Sequence, residues 1–190
     1  MLRASASLLA RRGPLNAQLA QRTLATAAGG ALAGKVIVVA GAGNPPEEGH
    51  GIGAATSIEL ARQGAKVVSV SNVELSQQTV TNAILAEGND AMGFTADCTK
   101  GADVEALLKA TLDKYGQVDV LINAGIHSAL PMGFKKMSED AWKVGIDLNL
   151  NAHFQLIHKF LPVFEEQRRG NVIHFTTIAS SVGLGTGPVT

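Results

Sequence analysis

An apolar strand that runs straight into a glycine-rich turn and then a helix constrains this chain more than any other feature. Lys35-Val-Ile-Val-Val-Ala40 leads into Gly41-Ala-Gly-Asn-Pro-Pro-Glu-Glu-Gly-His-Gly51-Ile-Gly53, and Ala54 to Gln63 has the composition of a helix. Glycine lets backbone come close to a diphosphate, because no side chain intervenes. The helix that follows offers unbonded N–H groups and a partial positive charge. A turn of this kind opens a dinucleotide-binding βαβ unit. Glycines also occur as plain turn punctuation, but a turn set directly after an apolar strand favours the nucleotide reading.

The rest of the chain continues the alternation. Val67 to Val70 is expected as a second strand, Glu74 to Gly88 as a helix, and Ala91 to Thr95 as a third strand. Lys100 to Tyr115 carries Val104, Leu107, Leu108, Thr111, Leu112 and Tyr115 at helical spacing. Val118 to Ile122 gives a fourth strand and Val172 to Thr176 a fifth. Between them Ser138 caps a long helix running towards Arg169, with Glu139 and Asp140 in its first turn. Pro162 is expected to kink or break that helix. Short, wholly apolar strands suit a parallel sheet covered on both faces. With right-handed crossovers the expected fold is α/β, a doubly wound parallel sheet with ligands at the carboxyl ends of its strands.

The first 34 residues stand apart. They hold Arg3, Arg11, Arg12 and Arg22, no acidic residue, and much Ala, Ser, Leu and Thr. This composition is that of a mitochondrial transit peptide addressed to the matrix, with a chloroplast address or a disordered basic tail as lesser readings. Arginines interrupt every apolar run, so no membrane span is expected. The whole chain has 16 basic and 16 acidic residues; without the four leader arginines 12 face 16. That mild acidity gives no basic stripe for nucleic acid. Residues 35–190 suffice for one domain. Cys98 is the only cysteine, which excludes an intrachain disulfide and suits a reducing compartment.

Val118-Asp-Val-Leu-Ile-Asn-Ala-Gly125 resembles the short-chain dehydrogenase/reductase family, which carries Asn-Ala-Gly at the end of its fourth strand. Other matches fall in register. Gly41, Gly51, Ile52 and Gly53 resemble the nucleotide turn, and Asp97 the aspartate that meets the adenine. Asn149 resembles the asparagine of the long helix. Gly170-Asn-Val-Ile-His-Phe-Thr-Thr177 resembles the strand ending at the catalytic serine, which places Thr177 in that role. The resemblance runs from Lys35 to the end. It implies a Rossmann-like three-layer α/β/α domain that binds NAD or NADP through Gly41, Gly51, Ile52, Gly53, Ser71, Asn72, Asp97, Asn123, Ala124 and Gly125. Asn149 and Thr177 are the catalytic candidates. The implied reaction is hydride transfer between the nicotinamide and a ketone or secondary alcohol, a 3-oxoacyl thioester being one such substrate. It implies a homodimer or homotetramer for the full-length form.

The chain also departs from the family. Nine residues separate Gly41 from Gly51 where three are usual. That spacing resembles the divergent branch of enoyl-acyl-carrier-protein reductases, so an enoyl-thioester reductase is the alternative. Thr177 stands where serine is usual; its hydroxyl donates the same bond, with Ser180 and Ser181 as substitutes. The family's proton passes through a tyrosine whose pKa is lowered by a lysine four residues on. The only tyrosine here, Tyr115, is followed at that spacing by Asp119, and its place in an apolar stripe makes it packing. The chain reaches Thr190 a few residues before the family's tyrosine. It is therefore read as incomplete at its carboxyl end, poorly stable and without turnover, its fifth strand an exposed edge. A non-catalytic nucleotide-binding remnant is the further alternative.

Plainer readings remain for several residues. Asp97 could cap the next helix, and Asn149 could be a buried polar contact without function. Cys98 is expected to be inert packing. His127 is expected as a loop residue that could line the pocket, and His50, His153, His158 and His174 lack metal-ligand spacing. Ser71 and Asn72 end the second strand without the acid that holds NAD or the arginine that accepts the NADP phosphate, so the choice stays open.

Overall fold

A computed structural model describes residues 30–43, 51–125 and 136–176. Five parallel strands alternate with helices. They are β1 (Val36–Ala40), β2 (Lys66–Ser71), β3 (Ala91–Thr95), β4 (Val120–Asn123) and β5 (Asn171–His174). The helices are α1 (Ile52–Arg62), α2 (Glu74–Ala86), α3 (Gly101–Tyr115), α4 (Glu139–Ile146) and α5 (Ala152–Gln167), with a π-helical turn, Asp147–Asn151, joining the last two. The sheet order is β3-β2-β1-β4-β5. Strand order reverses beside β1, so a crevice opens between the carboxyl ends of β1 and β4.

The apolar strands bury both faces. Every residue of β1 is buried, and alternate side chains feed two cores. Ile37 and Val39 join Val67, Ile122 and the inner faces of α1 (Ala54, Ile58) and α2 (Val80, Ile84). Val38 and Ala40 join Val68, Val70, Leu121 and the inner faces of α3 (Val104, Leu107) and α5 (Leu156, Phe160, Phe164). This is the three-layer, doubly wound arrangement that the alternation leads one to expect. Burial of this kind contributes roughly 25 cal/mol per Å² of apolar surface.

At the amino ends of the strands one carboxylate ties the sheet together. Asp119, 5% exposed, accepts the Val36 N–H (2.9 Å) and the Gln117 amide (2.7 Å), and pairs with Lys35 (3.3 Å) and Arg169 (3.4 Å). Burial alone would raise its pKa, but the Val36 N–H, Lys35 and Arg169 outweigh that and hold it below the usual carboxylate range.

Element boundaries differ from the sequence expectations for local reasons. Helix α1 begins at Ile52, so Gly53 is already helical. Helix α2 stops at Ala86, because Gly88 adopts a left-handed φ of 81°. Strand pairing begins at Val120 in β4 and ends at His174 in β5.

Pro162 lies inside α5, so of the two expected outcomes, a kink or a break, the break does not occur. It lies on the exposed side, where the carbonyl left without its N–H partner can meet water, while Phe160 and Phe164 anchor the opposite face. The long helix changes its winding earlier, at the π turn, and runs on without a gap.

Candidate functional site: a cleft at the carboxyl ends of the strands

The carboxyl ends of β1 to β4 open onto a cleft of about 230 Å³. Ala40 and Gly41 line it from β1, Val70, Ser71 and Asn72 from β2, and Ala96, Asp97 and Cys98 from beyond β3. Asn123 and Gly125 line it from β4, and Leu148 and Ala152 from the long helix.

Its floor is backbone against backbone. Gly41 takes φ 80°, and a Cβ there would collide with the nitrogen of Gly125. A Cβ on Gly53 would collide with the Gly41 carbonyl oxygen. The glycine-rich turn and the Asn-Ala-Gly turn therefore pack together, and α1 enters directly above them. The N–H groups of Gly41 and Ala42 both bond Val70 O (3.0 and 2.9 Å), which fixes the turn to the end of β2. The first turn of α1 adds backbone N–H groups that helix geometry does not itself bond, the arrangement in which helix N-termini meet anions. Gly51 stands at its N-cap position and Ile52, 58% exposed, at its first position.

The structure brings Gly41, Ser71, Asn72, Asp97, Asn123 and Gly125 to one cleft. Ala124 donates its N–H to Ala40 O (2.8 Å), extending the β1–β4 pairing rather than lining the cavity. Asn123 is 3% exposed, and its side-chain oxygen accepts the Gly125 N–H (3.0 Å), closing an Asx turn. Ser71 Oγ accepts the Val73 N–H (3.2 Å). The Asp97 carboxylate accepts from Thr99 N (3.0 Å) and Thr99 Oγ1 (2.7 Å) and pairs with Lys100 (3.2 Å). Asp97 thus lines the cleft and also braces the approach to α3. The Thr99 bonds and Lys100 hold its pKa below the usual range. Burial, with Asp97 and Asp103 nearby, pushes the Cys98 thiol up to about 12, so it stays protonated.

Asn149 sits in the middle of the π turn rather than in a regular helix, next to cleft-lining Leu148. Single π turns within α-helices are frequent at functional sites. Thr177, Ser180, Ser181, His127 and His50 lie outside the described residues.

Tyr115 is at the other end of the sheet. Its hydroxyl donates to Asp90 Oδ1 (2.9 Å), just before β3, and Lys66 and Lys114 stand over its ring at 5.6 and 4.9 Å. Burial and Asp90 push its pKa up, the opposite of what a proton-transfer phenol needs.

Two neighbours of the cleft escaped sequence reasoning. His153, next to Ala152, stacks on His174 with ring centroids 4.6 Å apart and planes 18° from parallel. A search for metal spacing does not find such a pair; aligning His174 with Asn123 across β4 and β5 would have placed it at the site. Among the described residues no group of three His, Cys, Asp or Glu could hold a metal, and no helix is long and apolar enough to cross a membrane.

Residues 35–189 match the short chain dehydrogenase family. The chain belongs to that family. Among curated relatives of this short-chain dehydrogenase, an uncharacterized oxidoreductase of Listeria innocua is 33% identical over 156 residues, 82% of this chain and 60% of its own. A 3-oxoacyl-[acyl-carrier-protein] reductase of Synechocystis is 33% identical over 155 residues, 80% of this chain and 60% of its own. The chain thus spans about 60% of the length of these relatives. A Burkholderia xenovorans structure assigned to the short-chain dehydrogenase/reductases superposes with a TM-score of 0.78 at 30% identity, covering 83% of this chain and 62% of that one. A metagenomic short-chain oxidoreductase in complex with NADP gives 0.72 at 29%, covering 82% and 68%. A 3-ketoacyl-(acyl-carrier-protein) reductase from Brucella melitensis complexed with NADH gives 0.69 at 28%, covering 78% and 59%.

Proposed function

We propose that this short-chain dehydrogenase binds NAD or NADP in the cleft and serves hydride transfer between the nicotinamide and a ketone or secondary alcohol. The carrying observation is the contact of Gly41 with Gly125 beneath the start of α1. Only bare backbone fits there, and bare backbone facing a helix N-terminus suits a diphosphate. The coenzyme, when bound, supplies the hydride chemistry. The chain's own part is positioning. The glycines admit the diphosphate, Ser71 and Asn72 face the ribose, Asp97 the adenine side, and Asn123 fixes the turn nearest the long helix. Asn149 and the Thr177 hydroxyl are the groups proposed to orient substrate and proton.

A 3-oxoacyl thioester is the proposed substrate class, supported by relatives that bear that reductase name. The nine residues between Gly41 and Gly51 favour a second reading, an enoyl-thioester reductase. Because the only tyrosine lies at the far end of the sheet, we propose that residues 1–190 alone bind coenzyme without turnover. Leu150, Phe154 and Leu161 form an exposed apolar stripe along the long helix, which supports a homodimer or homotetramer for the full-length form. The arginine-rich, acid-free leader supports a mitochondrial matrix address.

The test is a titration with NADH and NADPH, then addition of a 3-oxoacyl thioester or an enoyl thioester while nicotinamide absorbance is followed. Coenzyme binding without oxidation is expected. Oxidation with either thioester overturns the no-turnover reading and names the substrate class; absence of binding overturns the coenzyme reading.

A further inference from the structure

The ring nitrogens of the stacked histidines lack what buried polar atoms normally have. His174 Nδ1, His174 Nε2 and His153 Nε2 are buried with no hydrogen-bond partner. A buried nitrogen without a partner costs stability, and a charged imidazole in such a place costs more. The pair is nonetheless built into the site. His174 ends β5 directly opposite Asn123 in β4. His153 follows cleft-lining Ala152 and makes a backbone hydrogen bond at Gly125, the glycine pressed against Gly41.

We propose that His153 and His174 act together as a positioning pair for the cleft: stacked and uncharged, they hold the Asn123–Gly125 turn in place, and a proton on His174 parts the stack and loosens that turn. The consequence for ligand binding rests on the coenzyme reading given above.

Among the described residues no ionisable group besides the two rings themselves faces the pair. Nothing ionisable in the turns of the long helix beside it, from Asn149 to Ile157, faces it, and Asp147 at the start of the π turn accepts from Asn151 on the exposed side (2.7 Å). His158 stacks on exposed Phe154, away from the pair. The β4 end, Asn123 to Gly125, and Phe175 after β5 carry no charge. Burial holds both rings below the ordinary histidine range, and His174 lowers His153 further, outweighing the Gly125 backbone bond that favours its charged form. Both are therefore neutral near pH 7 and take up protons only in more acidic solution. A proton on one ring also opposes a second, because like charges at stacking distance repel.

The experiment is NMR of the imidazole C2–H and Gly125 amide resonances of the full chain across the acidic range, with calorimetric titration of NADH at each pH. The two histidines are expected to titrate below the ordinary range, with the Gly125 amide shifting at the same midpoint. Coenzyme affinity is expected to fall with them, by about tenfold for each unit by which binding lowers their pKa. His174→Phe keeps an aromatic face on His153 and is expected to flatten the affinity profile. Independent titration in the ordinary range, a Gly125 amide that ignores it, or an unchanged profile in His174→Phe overturns the proposal. If NADH fails to bind at any pH, the coenzyme reading falls, and the resonances of His153, His174 and Gly125 still decide the pair by the same criteria.

Discussion

The backbone of Gly41, where β1 ends, lies against that of Gly125, just beyond β4, so closely that no side chain fits on Gly41. The two residues are 84 apart in sequence, yet they make one surface. That surface is the floor of the cleft, and its consequences can be measured.

Gly41→Ala meets both a left-handed φ of 80° and the Gly125 backbone. It is expected to destabilise the fold by about 2 kcal/mol and to weaken coenzyme binding at least roughly tenfold. Gly125→Ala is the contrast. Its Cβ would stand 3.4 Å from Asn123 Oδ1 and 3.8 Å from Gly41 Cα, close but tolerable. Urea midpoints should fall clearly for the first variant and little for the second.

Asn72 is the position proposed to set coenzyme choice. It lines the cleft at the end of β2 with no charge of its own. Asn72→Asp is expected to favour NAD over NADP by about tenfold, through bonds to the ribose hydroxyls. Asn72→Arg is expected to shift the ratio about as far the other way, by pairing with the 2′-phosphate. Competitive titration measures both ratios; the same ratio in both variants would remove Asn72 from the ribose site.

Asp119→Asn removes the charge that Lys35 and Arg169 face while keeping an acceptor for Val36 N–H. A loss of about 2 kcal/mol is expected. The carboxylate's folded pKa is depressed. Its stabilisation is therefore present above the unfolded-state pKa of about 3.9 and lost as pH falls through the folded value. Urea midpoints measured from neutral to strongly acid pH should show a shallower acid decline in the variant. Parallel declines would contradict the assignment.

Pro162→Ala restores a helical N–H inside α5 without touching the core. Proline in a helix interior costs up to about 3 kcal/mol relative to alanine. The variant is expected to raise the melting temperature; a lower one would mean that Pro162 packs in a way the exposed face does not show.

What the sequence disclosed is what short-range chemistry determines. Val36–Ala40 is apolar at every position because both faces are covered, and Gly41, Gly53 and the Asn-Ala-Gly turn carry their conformational needs in their residue types. Asp97 and Asn123 were legible as strand-end residues for the same reason, although the bonds of Asp97 to Thr99 and Lys100 serve α3 as well. Distant pairings were not legible. Asp119 is 83 residues from Val36, and His153 meets His174 only once α5 lies against the sheet. Pro162 does not break α5, because on the exposed side the carbonyl it leaves without a partner can meet water. The π turn at Asn149 has no local signature, since an extra residue in a helical turn is set by the packing at either end.

The most direct measurement of the central claim is isothermal calorimetry of the chain with NADH and with NADPH, wild type beside Gly41→Ala. A saturable one-to-one isotherm that is weakened or lost in Gly41→Ala is the predicted result. No heat of binding from either coenzyme with the folded wild-type chain, or equal affinity in the two proteins, would contradict it.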